Sequence, residues 1–187
     1  GPGERAGYGG SVDRPNIGHG IAGVLGVIAQ HITNRIGLDV YFEPMPAEAR
    51  AIHLTMVPRT FDVQREERRR MGLHDLYTAM LSLDVALSAV GIGKEFMAEC
   101  MEGALLVARL FHDAVTVHIG AEIYATLSCT RKDSGQFMQS EEEGAQDYVY
   151  IENWEGSLLF PYVFEADQPE RVVVPPGLWP VTVSVSP

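Results

Sequence analysis

The chain has 187 residues, 46% of them hydrophobic, with 25 acidic and 14 basic side chains and a formal charge of -11. That composition is too apolar for a disordered chain, and its charge excludes the usual cationic nucleic-acid-binding surface. One hydrophobic core of ordinary size is expected, with no need for a metal or disulfide staple.

Gly1-Pro2-Gly3 has the form of a tag-cleavage remnant, and residues 1–16 read as a glycine-rich flexible arm. Ile21, Val24, Leu25, Ile28, Ile32 and Ile36 recur at three- and four-residue steps, which predicts an amphipathic helix over 17–36 that Gly37 stops. Gly20, Gly23 and Gly26 each weaken it by about 1 kcal/mol relative to alanine, so it requires tertiary support. The apolar run 21–32 is too short and glycine-interrupted for a membrane span, and no clear cleavage site of the secretory kind follows it.

Residues 40–42 begin an extended stretch. Ile52, Leu54 and Met56 then alternate with His53 and Thr55 as a half-buried strand, and Pro58 ends it. Segment 59–72, with Arg59, Arg65, Arg68, Arg69 and Arg70, reads as an exposed loop or short helix. Over 76–89 two periods compete. Leu76, Met80, Leu83 and Leu87 suit a helix face, whereas Leu81, Leu83, Val85 and Leu87 suit a strand, which is the preferred reading. A turn at Gly91-Ile92-Gly93 leads into a helix over 94–113, buried through Phe96, Met97, Cys100, Ala104, Val107, Ala108 and Phe111.

Beyond Ala114 the period is two. Strands are expected at 115–119 and 123–127, a polar loop at 130–146, short strands at 148–151 and 158–164, another at 171–174, a rigid turn at Pro175-Pro176-Gly177, and alternation from Val181 to Val185. The expected fold is α+β: a small mixed or antiparallel sheet packed by two principal helices, 17–36 and 94–113, with a β-rich C-terminal extension. The corresponding units are an arm (1–16), an α/β assembly domain (17–128) and an acidic β-rich extension (129–187) packed on the same core.

Chemistry-bearing patterns are weak. Gly18-x-Gly20-x-x-Gly23 has the dinucleotide-loop spacing but no preceding strand, so helix packing explains it better and no cofactor is expected. A metal site would need His112, His118 and Glu122 to converge through one particular turn, and no metal is expected. His74-Asp75 and His112-Asp113 are neighbours that would not share a helix or strand face. Neither cysteine has a neighbouring base, no Cys-x-x-Cys pair exists, and no serine sits in a Gly-x-Ser-x-Gly elbow, so a reducing compartment and no nucleophilic catalysis are the simplest readings.

Charge is the stronger signal. Arg65, Arg68, Arg69 and Arg70, interleaved with Glu66 and Glu67, form a local positive patch that suits either a solvated loop or docking onto an acidic protein. Residues 133–170 contain acidic side chains and no lysine or arginine, with Trp154 and several other aromatics among them. Glu141, Glu142, Glu143, Trp154 and Glu155 are therefore contact candidates alongside the arginines, on a surface that repels DNA, attracts a basic protein or confers solubility.

The helix at 21–36, strands near 40–42 and 52–56, the long charged connection, the strand at 81–87 and the helix at 94–113 together resemble the element order of small tail-terminator or tail-completion proteins of tailed bacteriophages, over about residues 17–128. The resemblance implies a non-enzymatic subunit forming a ring, often a hexamer, at the end of the tail tube. It also implies extended loops, here 59–72, touching neighbouring subunits and adjacent tail or connector proteins. The expected setting is the virion or the host cytoplasm during assembly, with no sequence-specific nucleic acid and no membrane. Two other readings stay open: a monomeric β-rich binding or immunity module over 115–187 for a basic protein partner, and a metal-dependent enzyme using His112, His118 and acidic residues. If the arginine patch mediates assembly, changing Arg68, Arg69 and Arg70 to glutamate lowers the mass seen by light scattering and leaves the circular dichroism spectrum unchanged.

Overall fold

The computed structural model describes residues 20–44, 51–71, 74–120, 123–141, 144 and 146–165; of residues 20, 67–71, 74–76, 120 and 163–165 only the backbone is described. The expected arm, the residues before Gly20, Glu122, Glu142, Glu143 and the strands and turn expected over 171–185 lie outside the described residues. The elements are α1 (Gly20–Ile36), β1 (Asp39–Tyr41), β2 (His53–Met71), β3 (His74–Gly91), α2 (Lys94–Leu110), β4 (Val115–Gly120), β5 (Ile123–Gln139) and β6 (Tyr148–Glu165).

All six strands form one sheet in the order β1-β2-β3-β6-β5-β4. Among the described residues only the β1–β2 pairing is parallel. The expected fold, a small sheet packed by two principal helices with a β-rich extension, is thereby overturned: strand predominates, and the sheet is a curled, mixed half-barrel accompanied by two helices. Within the segment expected as an extension, β6 pairs with β3 on one side and β5 on the other, inside the sheet.

Three local expectations also change. Segment 59–71 is the second half of β2, and 130–139 is the second half of β5. The stretches 148–151 and 158–164 belong to one strand that runs straight through Asn153-Trp154-Glu155-Gly156. In each case polar or glycine-bearing stretches take strand geometry because a neighbouring strand supplies their backbone partners, which local composition does not register. The ambiguous segment 76–89 lies within β3, where Leu83, Val85, Leu87 and Ala89 are buried and Asp84 is exposed. Register shifts at Pro58/Thr60, Arg65/Arg70, His118/Gly120, Arg131/Asp133 and Asp133/Gln136 interrupt the pairing. Such bulges bend and twist strands, which suits the curl of the sheet.

Helix α1 buries Val24, Ile28 and Ile32. It ends where Gly37 adopts a φ of 75° and its N–H donates to the Thr33 carbonyl at 2.8 Å. Helix α2 begins after Gly93, at a φ of 96°, and buries Phe96, Cys100, Gly103, Val107 and Leu110. Of its predicted core positions, Met97 is instead exposed. A side chain on Gly103 would run into Ile52, so glycine lets α2 approach the start of β2 closely. Both helices join one core with Leu54, Met56, Leu83, Leu87, Ile123, Leu127, Leu158 and Phe160, each large side chain contributing about 1.5–3 kcal/mol. Burial of His53 and Thr55 departs from simple alternation: β1 pairs beside them, Tyr41 packs edge-on against His53 at 5.6 Å, and His53 Nδ1–H donates to the Ala51 carbonyl at 2.8 Å. Among the described residues no helix is long and apolar enough to cross a membrane.

Because β6 joins β3 to β5, a chain ending at residue 146 loses the strand that unites the two halves of the sheet. Its cooperative thermal transition, followed by circular dichroism, is expected to disappear, whereas removal of a mere appendage would leave it intact.

Candidate functional site

The border strands are much longer than the strands that cover them. β1 pairs with β2 only at His53, Leu54 and Thr55, and residues 58–65 beyond it are all exposed. At the other border β4 pairs with β5 only from Ile123 to Leu127, and residues 130–139 are all exposed. Each border therefore ends in an overhang whose two faces both meet solvent, and the two overhangs sit at opposite ends of β6. Arg65 pairs with Tyr77 and Tyr77 with Tyr162, while Gln139 pairs with Tyr148. The strand between Tyr148 and Tyr162 is about 45 Å long at ~3.3 Å per residue.

This geometry disposes the predicted contact residues as follows. Arg65 is exposed on the β2 overhang; Arg68, Arg69 and Arg70 continue the same strand, their side chains outside the described set. Glu141 is exposed just beyond the β5 overhang, where the Ser140 N–H donates to the Asp147 carbonyl at 2.9 Å. Arg65 and Glu141 thus lie at opposite ends and do not meet within the chain. Glu155 is exposed on the other face of the sheet from Trp154, in register with Asp84 and Thr130, and Asp84 pairs with Arg59 at 3.3 Å. Trp154, by contrast, is only 6% exposed.

What holds Trp154 is a buried carboxylate that charge counting did not distinguish from its acidic neighbours. Tyr150, Glu152 and Trp154 alternate along β6 and therefore point to one face. Glu152 is 1% exposed. The Tyr150 hydroxyl donates to its Oε1 at 3.0 Å and the Trp154 indole N–H to its Oε2 at 3.0 Å. Arg131 Nη2 lies 3.1 Å from the same Oε2, and its guanidinium stands over the Trp154 ring at 5.3 Å. Phe137 and Phe111 complete the surround, 4.8 Å from the Tyr150 ring and 5.3 Å from the Trp154 ring respectively. Across from Glu152 the β5 strand bulges on both sides of Asp133, and a side chain on Gly135 would collide with the Tyr150 hydroxyl. Burial first, and the bond to Glu152 second, push the Tyr150 phenol far above its usual range, so it remains a donor at all ordinary pH. The available sequence signal was an acid flanked two residues away on each side by an aromatic donor.

This cluster is closed around its own groups. Every polar tip has an internal partner and the carboxylate has almost no exposure, so it ties the β5 overhang to β6. The thiols do not add a nucleophile: burial raises Cys129 to about 12, and burial with repulsion from Glu99 raises Cys100 to about 11. His112 lies 3.3 Å from Asp113 on an exposed turn beyond the end of α2, where the rule for helix and strand faces does not apply. His118 is exposed with its ring 4.3 Å from that of Tyr124. Among the described residues no three His, Cys, Asp or Glu side chains are grouped to hold a metal ion.

The chain matches no protein-family model, and no curated protein matches it.

Replacing Glu152 with alanine strands two buried donors and Arg131, and is expected to cost about 2–5 kcal/mol in urea denaturation. Glu152→Gln keeps an acceptor oxygen and is expected to cost less than half as much.

Proposed function

We propose that the chain is a non-enzymatic structural subunit that works by assembling with copies of itself. The observation that carries this reading is the pair of sheet overhangs at diagonally opposite corners, each exposed on both faces and carrying apolar side chains: Phe61 and Val63 on β2, Phe137 and Met138 on β5. A border strand that no further strand covers presents unpaired backbone groups, and apolar side chains exposed along it favour association. Two different surfaces at opposite ends suit head-to-tail contacts, and such contacts close into rings when the rotation between subunits permits.

The finer reading is a ring-forming, hexameric tail-terminator or tail-completion subunit, working in the virion or during its assembly beside tail or connector proteins. Support comes from the helix–strand–strand–strand–helix order of α1, β1, β2, β3 and α2. The charged connection of the resemblance is here a strand overhang rather than a loop. The net charge of -11 also suits a conduit to which DNA must not adhere.

Mass measured by sedimentation over a wide concentration range tests the reading. A closed oligomer of fixed stoichiometry is expected. A monomer at every concentration would remove it, and a tight one-to-one complex of that monomer with a basic protein would favour a binding module instead.

A further inference from the structure

Among the described residues, no strand pairs with β2 beyond Thr55 on the side away from β3, so residues 58–64 form an open border. All of them are exposed, and they alternate in character. Phe61 and Val63, 54% and 43% exposed, pair with Leu81 and Ala79 and extend the apolar face of the sheet. Thr60, Asp62 and Gln64 point to the other face. A border with unpaired backbone groups and apolar side chains alongside is a template for one more strand, and natural sheets cover or blunt it.

One segment of the same chain has the matching pattern. Residues 166–187 follow β6 and lie outside the described residues. Within them Val181, Val183 and Val185 alternate with Thr182, Ser184 and Ser186, between Pro180 and Pro187. Valine and threonine at period two suit a strand with one apolar face, and the prolines, which cannot donate to a ladder, stand outside the run. Residues 172–187 also carry no charged side chain, in a chain whose net charge is -11. An uncharged run of this kind pairs readily with an open strand.

Position and direction select the β2 border. Strand β6 ends at Glu165, level with His74 and Met71, and Tyr162 stands in one row with Tyr77 and Arg65. The open side of β2 is therefore three strand spacings away, about 14 Å, and ~10 Å back along the strands. Residues 166–180 can span up to about 50 Å. Both β2 and β6 run antiparallel to β3, so a chain that turns back at this end runs antiparallel to β2. The other border is already served: Val115, Val117 and Ile119 of β4 are buried, and α1 packs beside that strand. The β5 overhang lies towards the far end of β6.

We propose that residues 181–186 add to the open border of β2 in the same chain as a further strand, with Val183 beside Val63 and Val185 beside Phe61. This register puts Thr182 and Ser184 beside Gln64 and Asp62, so apolar and polar faces both continue across the border. The segment acts as a strap that closes this backbone edge, and a neighbouring copy must displace it to pair there. The inference goes beyond the assembly reading and does not depend on it.

The test uses the full-length chain. Isotopically labelled and unlabelled copies of a Val63→Cys, Val183→Cys chain are mixed before mild oxidation, and a disulfide joining 63 to 183 within single chains is expected. Cys100 and Cys129 are buried and do not compete. Gln64→Cys with Val183→Cys, whose side chains face opposite ways, is expected to link several-fold less. In the otherwise unaltered chain, Thr182→Pro with Val183→Pro removes two adjacent backbone donors, one of which faces β2. That pair is expected to speed amide hydrogen exchange within residues 59–64 by roughly tenfold or more. The strap is overturned if the 63–183 link is no more abundant than the 64–183 link, or if the prolines leave exchange at 59–64 unchanged. A link found only between labelled and unlabelled chains also overturns it, because the segment is then donated to a neighbour. A chain that is monomeric throughout yet forms the link within itself removes the assembly reading and leaves the strap standing.

Discussion

Strands β3 and β6 pair along their whole length, from His74 beside Glu165 to Gly91 beside Tyr148. Residues roughly 60 to 90 positions apart must meet to make this ladder, so its formation carries a substantial loop-closure cost. Everything else attaches to it. β2 folds back on β3, β5 on β6, and α2 belongs to the chain that crosses from one half of the sheet to the other. Leu83, Val85 and Leu87 from one strand and Leu158 and Phe160 from the other form the floor of the core, and alternation sends Asp84 and Glu155 to the opposite face.

A sheet pinned at its centre has its loose ends at its corners, and the polar cluster around Glu152 acts at one of them. The burial of a carboxylate is costly unless hydrogen bonds and an opposite charge satisfy it. Tyr150, Trp154 and Arg131 do so here, two of them from β6 itself and one from the bulged β5. Because Arg131 is partly exposed while Glu152 is not, the cluster spans the boundary between the packed core and the overhang. Together with Phe137, whose ring packs on Tyr150 and against Phe96 of α2, it orients this border strand. The other overhang is arranged differently, with an exposed Arg59–Asp84 pair and the Thr78 hydroxyl donating to Glu66 at 2.8 Å across the strands. An exposed ion pair and a half-buried hydrogen bond hold a strand less firmly than a buried network does.

Charge and shape then bear on one another. The positive segment belongs to one corner of the half-barrel, whereas Glu141 belongs to the opposite corner and Glu95, Glu99 and Glu102 to the outer side of α2. Within one copy Arg59 already pairs with Asp84 and Arg131 with Glu152, so part of each charged set is neutralised inside the sheet, while the topology keeps Arg65 and Glu141 at opposite ends of β6.

The sequence by itself determined the elements whose signal is local. The α1 stripe through Val24, Ile28 and Ile32, its stop at Gly37, the onset of α2 after Gly93, and the alternating strands at 115–119 and 123–127 all follow from side-chain spacing and from glycine's tolerance of positive φ. The charged segment around Arg65 was also legible, though not its conformation. Tertiary structure alone decided that 59–71 and 130–139 are strands, that β6 lies in the middle of the sheet, that Glu152 is buried between two aromatic donors, and that Met97 faces outward. Each of those outcomes depends on a partner distant in the chain: a strand's backbone hydrogen bonds and the burial of its side chains are set by whatever lies beside it, and local periodicity carries no record of that neighbour.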